Sequence, residues 1–82
     1  MKRGLRSVIT HDVIDAVFSD PALVKKFTRP RKDRHICEER ANGEKLNAIG
    51  KRHKQSATYC GRIVRRAIML HALYVEGAKH EM

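Results

Sequence analysis

Tryptophan is absent from the chain, and only two tyrosines and two phenylalanines occur among its 82 residues. An interior built from this composition is aliphatic and small. One domain is the most this length supports, and a deep, water-excluding catalytic pocket is hard to build on so little core. No apolar run approaches the roughly 18 residues that a bilayer-spanning helix needs. Cysteine occurs twice, as Cys37 and Cys60, with no CxxC pair. Two reduced thiols in a cytosolic protein are the expectation, in place of a disulfide framework. The five glycines are scattered, so no glycine-rich phosphate loop exists. The start, MKRGLRSVITHDVIDAV, is basic, yet Asp12 and Asp15 stand where a secretion signal needs an unbroken apolar segment, and no such signal is read.

The most informative absence is that of acid. No Asp or Glu lies between Glu44 and Glu76. The whole chain carries 18 Lys and Arg against 9 Asp and Glu, a net charge of +9. Residues 46–66 hold six of those bases and no acid, whereas 67–82 hold one base and two acids, net −1. A solvated surface normally interleaves both signs. A concentrated surplus opposes compaction unless a polyanion offsets it, so nucleic acid is the expected partner. An anionic membrane ranks second. It would need the apolar faces of free helices, and here the helices need those faces for one another.

The pattern reads as helices throughout, an all-α fold of four or five. Thr10 is placed to cap a first helix bearing Val13, Ile14, Val17 and Phe18. Asp20-Pro21 reads as the cap and first residue of a short second helix over Ala22–Phe27. Pro30 disfavours helix at Arg29, so residues 29–33 are expected to be an extended basic arm, with Asp33 capping a third helix that stops at Asn42-Gly43. A fourth helix over Glu44–His53 and a fifth from Ala57 to about Val75 follow, with Ser56 as cap of the last. At 100° per residue, Cys60, Ile63, Val64, Ala67, Leu70 and Tyr74 share one face of that helix. Thr58, Arg62, Arg65 and Arg66 share the opposite one. The β-branched runs Val8-Ile9-Thr10 and Ile63-Val64 sit inside or beside helical patterns, so no strand is expected.

Residues 46–65, LNAIGKRHKQSATYCGRIVR, fit a helix–turn–helix, in which two helices meet through a short turn and the second enters the major groove. Gly50 supplies the small residue at the crossing. Leu46 and Ile49 are the packing positions of the first helix, Cys60 and Ile63 those of the second. Turns of this kind often begin with Gly and an aliphatic residue; Lys54 and Gln55 stand there in this chain. Basic side chains on an extended segment suit a narrow minor groove, which gives Arg29, Arg31 and Lys32 a role.

Arg29-Pro30-Arg31, Ile49-Gly50-Lys51-Arg52-His53, Ser56, Tyr59 and Arg62-Ile63-Val64-Arg65 together resemble the DNA-binding segment of resolvase/invertase-type serine recombinases. The resemblance covers residues 29–74. It implies that the Arg-Pro-Arg arm lies in the minor groove and that the last helix reads the major groove. It implies no recombination chemistry, since residues 1–28 are too few for the family's catalytic domain. The stretch from Arg62 to Tyr74 is also similar to the C-terminal helix of the ribosomal protein S18 family, which implies an rRNA-binding structural component.

Catalytic chemistry finds no support. Ser7, Ser19 and Ser56 each have a capping or terminal explanation, and none is tied to a His–carboxylate pair. His35-x-Cys37 with His53, Cys60 and His71 offers ligand types without a known metal spacing. The expectation is therefore a small, non-enzymatic, cytoplasmic and nucleoid-associated DNA-binding regulator or architectural accessory, without cofactor or metal. Residues 1–28 complete the core or make a homodimer, residues 29–33 form the arm, and residues 34–82 hold the helix–turn–helix. The DNA-binding set is Arg29, Arg31, Lys32, Lys51, Arg52, Lys54, Ser56, Thr58, Tyr59, Arg62, Arg65 and Arg66. An rRNA partner is the alternative.

Overall fold

The computed structural model describes residues 9–80, and side chains from Ile9 to Val75. Residues 1–8, which include Ser7 and the first part of the expected N-terminal segment, lie outside the described residues. The protein is all-α: α1 His11–Phe18, α2 Pro21–Val24, α3 Pro30–Ala41, α4 Leu46–His53 and α5 Ala57–His80. No strand occurs among the described residues.

Local chemistry accounts for most boundaries. The Thr10 hydroxyl accepts from the Val13 amide at 3.3 Å and opens α1. The Asp20 carboxylate accepts from the Ala22 amide at 2.9 Å, with Pro21 as first residue of α2. That helix is shorter than the sequence pattern suggests. It ends at Val24 and gives way to tight turns, Lys26 to Leu23 and Phe27 to Val24. The turns swing Phe27 inward to 4 % exposure, its ring 4.7 Å from that of Phe18.

The expected arm is the main correction. Residues 30–33 are helical, not extended. Pro30 occupies the first position of α3, where its missing N–H would have had no intrahelical partner, and only Arg29 before it stays outside the helix. Asp33 is accordingly not a cap. Its amide donates to the Arg29 carbonyl at 2.8 Å, and its side chain is fully buried.

Two helices end by the same device. After α3, Gly43 at φ +99° lets its amide reach the Arg40 carbonyl while Glu44 reaches that of Glu39. After α4, Lys54 takes the left-handed conformation, φ 59° and ψ 42°. Its amide points to the Lys51 carbonyl, and Gln55 donates to that of Gly50 at 2.8 Å. The position where a glycine is usual thus keeps its geometry with a lysine in it. α4 starts at Leu46, two residues later than the pattern suggested, and α5 runs on past Val75 to His80.

The core is formed by Ile9, Ile14, Val17, Phe27, Ile36, Cys37, Ile49, Cys60, Ile63, Val64 and Ala67. α5 is the central element, packed by α1, α3 and α4. Both cysteines are unpaired and buried. Tyr74 departs from the expected apolar face. It is 54 % exposed, because α5 extends beyond the helices that cover its first half.

Candidate nucleic-acid interface

The segment from α4 to α5 is held by a close backbone approach. A Cβ on Gly50 would lie 2.5 Å from the Gln55 carbonyl oxygen and 3.3 Å from the Ser56 carbonyl carbon. Only a glycine allows the chain to fold back over α4 this tightly. A Cβ on Gly61 would lie 3.3 Å from Leu46 Cδ1, so the two helices cross closely there. Ser56 then opens α5, its hydroxyl accepting from the Tyr59 amide at 3.0 Å and its carbonyl from that of Cys60 at 3.1 Å.

The start of α3, the end of α4 and the start of α5 converge. Arg29, Pro30, Arg31, Lys32, His35 and His53 line one open cleft of about 410 Å³. Tyr59, in the first turn of α5, meets Asp33 in the first turn of α3 through its hydroxyl at 3.2 Å. No side chain caps the α3 start. Its positive helix end therefore adds to the cations around it. Further along α5, Arg62, Arg65 and Arg66 line a shallow groove of about 280 Å³ with Met69, Leu70 and Leu73.

The twelve residues expected to bind DNA divide into two groups. Arg29, Arg31, Lys51, Lys54, Thr58, Arg62 and Arg65 are exposed, and Lys32 is half-buried. The others have work inside the fold. Arg52 is ion-paired with Glu39, and reaches Glu44 at 3.5 Å. Glu39 also accepts from the half-buried His53 at 3.0 Å. Burial pushes the Glu39 carboxyl up, but the bonds from His53 and Arg52 outweigh it and hold it below the ordinary glutamate value. The same pairing raises Arg52. The Tyr59 hydroxyl donates to Asp33 Oδ1 at 3.2 Å. Burial first, and then the Asp33 charge, raise its pKa. Arg66, half-buried, donates to the Lys26 carbonyl at 3.2 Å. Ser56, exposed, is engaged as the cap of α5.

Sequence reasoning missed Asp33 as a buried residue. Its Oδ2 has no hydrogen-bond partner among the described residues, so Tyr59 is its side-chain contact of record. The only prior signal was a carboxylate four residues before Cys37 on a helical stripe. Both thiols are inert by environment. Burial, and then the Asp33 and Glu38 charges, push Cys37 up to about 12, and burial also raises Cys60. No group of three His, Cys, Asp or Glu among the described residues is arranged to hold a metal ion.

No protein family, curated protein or solved structure matches the chain. No helix among the described residues is long and apolar enough to cross a membrane.

Proposed function

We propose that the protein binds duplex DNA without chemistry, reading the major groove with the first half of α5 and holding the backbone with the cations around it. The observation that carries this reading is the helix, three-residue turn and helix over 46–66. Gly50 braces it, it bears exposed Arg62 and Arg65, and no acid interrupts it. Helix starts and clustered cations suit phosphates. Arg29, Arg31 and Lys32 enter this reading as phosphate contacts at the start of α3, in place of an extended minor-groove arm. Arg62 faces outward on the exposed side of α5, where an arginine suits a guanine edge.

A salt series on duplex DNA, in competition with structured RNA, tests the proposal. Arg29, Arg31, Lys32, Lys51, Lys54 and Arg65 as phosphate contacts give a slope of log K against log[salt] of about −4 to −6. A slope shallower than about −2 on both polymers removes nucleic acid as the partner. Structured RNA winning the competition at every salt concentration replaces the duplex reading with the ribosomal-type one.

A further inference from the structure

A further cleft, of about 440 Å³, opens where the end of α3, the start of α4 and the middle of α5 meet. Its volume falls in the range of small-molecule sites, about 300–1,000 Å³. Leu46, Val64 and Ile68 wall it, and Gly61 lies in the lining without a side chain. A Cβ there would stand 3.3 Å from Leu46 Cδ1, so any larger residue would crowd the cleft. Val64 is buried, and Leu46 and Ile68 are half-buried against the core, so these walls belong to the packed part of the fold. Two charged side chains reach the cleft, Arg40 and Arg65, and both are guanidiniums. No acid lines it. The acids nearest Arg40 in sequence are engaged elsewhere, Glu38 with Arg34, and Glu39 and Glu44 with Arg52. Among the described residues, neither Arg40 nor Arg65 is paired with a carboxylate. Arg40 is nonetheless held in place. Its Nη1 donates to the Glu44 carbonyl at 2.8 Å, beside the turn that ends α3. Its other N–H groups remain for a ligand.

We infer that this cleft binds a small amphiphilic carboxylate, its acid group held by Arg40 and Arg65 and its hydrocarbon body laid against Leu46, Val64 and Ile68. Charge selects the head group. Two guanidiniums without a carboxylate of the chain's own are complemented by an anion. A guanidinium presents a planar fork that matches a carboxylate with two parallel bonds. The walls select the body. A bare inorganic anion would leave the apolar side chains against water, and a neutral hydrocarbon would leave the guanidiniums without a partner. Arg65 also lines the groove beside Arg62. In a nucleic-acid complex, the ligand and a phosphate would therefore compete for one side chain. The carboxylate site itself stands without the nucleic-acid reading.

Titration of the full chain, free of nucleic acid, with octanoate tests it, read by backbone amide chemical shifts. Acetate supplies the head without the body, and octanamide the body without the charge. Octanoate should saturate a single site and move the amides of Leu46, Gly61, Val64 and Ile68. Acetate and octanamide should each bind at least about ten-fold more weakly. Arg40→Gln changes an exposed side chain and should keep the helical circular dichroism of the parent. It should weaken octanoate by about ten-fold. Arg29→Gln, equally exposed but outside the cleft, should leave octanoate binding unchanged. Acetate binding as tightly as octanoate overturns the inference in favour of a bare anion patch. Octanamide binding as tightly overturns it in favour of an apolar crevice. Equal losses in Arg29→Gln and Arg40→Gln reduce the effect to net charge and overturn it as well. So does binding that fails to saturate, or whose shifts lie outside the cleft. The three probes on the parent protein decide the matter even where Arg40→Gln fails to fold.

Discussion

Gly50 and Lys54 carry opposite backbone demands within five residues of each other. Gly50 has ordinary helical torsions and no room for a Cβ; Lys54 has room for its side chain and torsions that suit glycine. Gly50→Ala should therefore destabilise the protein by about 1–3 kcal/mol, since the Gln55 carbonyl is backbone and must shift. Lys54→Gly should do the reverse. Relief of the left-handed strain outweighs the extra unfolded-state entropy by about 0.5–1 kcal/mol. Thermal unfolding by circular dichroism reads both, because 1 kcal/mol moves the midpoint of a domain this size by about 4–8 °C. A third residue-scale expectation concerns Asp33. Tyr59→Phe removes the hydroxyl bonded to a fully buried carboxylate, and should cost about 1–3 kcal/mol while leaving the salt slope of nucleic-acid binding unchanged. A changed slope would return Tyr59 to the contact surface.

At the scale of elements, α3 and α4 are joined by the Glu39 pair to Arg52 and His53, and this joint is pH-sensitive. Glu39 binds its proton less readily in the folded protein than in the unfolded chain. Its contribution to stability is then complete above the ordinary glutamate value and is lost as pH falls through the depressed folded one. Glu39→Gln should flatten that acid limb of the melting temperature against pH; an unaltered limb would place the acid sensitivity in other carboxylates. Within the proposed interface, Arg62→Ala should cost about 1–3 kcal/mol on a preferred duplex and relax preference at one or two positions. Lys51→Ala on α4 should weaken all duplexes about equally. Binding to a randomised duplex library separates the two. The elements themselves were largely legible from sequence, because Thr10, Asp20 and Ser56 cap by bonds to amides two or three residues away. The start of α3 was misread because proline excludes helix before itself and favours it after, and only the second effect acts on Arg31 and Lys32. The role of Arg52 was illegible for a different reason. Its partner Glu39 lies 13 residues upstream, brought near by the Gly43 turn, and no local spacing records that meeting.

For the whole molecule, two ion pairs join helices, Asp15 to Arg34 between α1 and α3 and Glu39 to Arg52 between α3 and α4, while Glu38 pairs with Arg34 within α3 and Glu44 reaches Arg52 from the loop before α4. The exposed bases of α4, the turn and α5 have no counterion from their own stretch of sequence. The cohesion of the fold rests on a small aliphatic core. Ile63, 3 % exposed on the central helix, should therefore be sensitive: Ile63→Ala should cost about 2–5 kcal/mol, against a total of about 4–12 for a chain of this length. An unmoved melting midpoint would show that α5 does not pack through this face. The two buried cysteines turn that fragility into something directly timed. Cys37 sits on α3 and Cys60 on α5, both at 0 % exposure, so a thiol-modifying reagent at mildly alkaline pH meets neither until the helices part. The modification rate then counts openings of the native state under conditions where no denaturant is present. Equal rates at the two sulfurs would mean that the chain opens as a unit; a faster Cys60 would mean that α5 detaches first, and that the protein breathes along the same helix through which it is proposed to meet its partners.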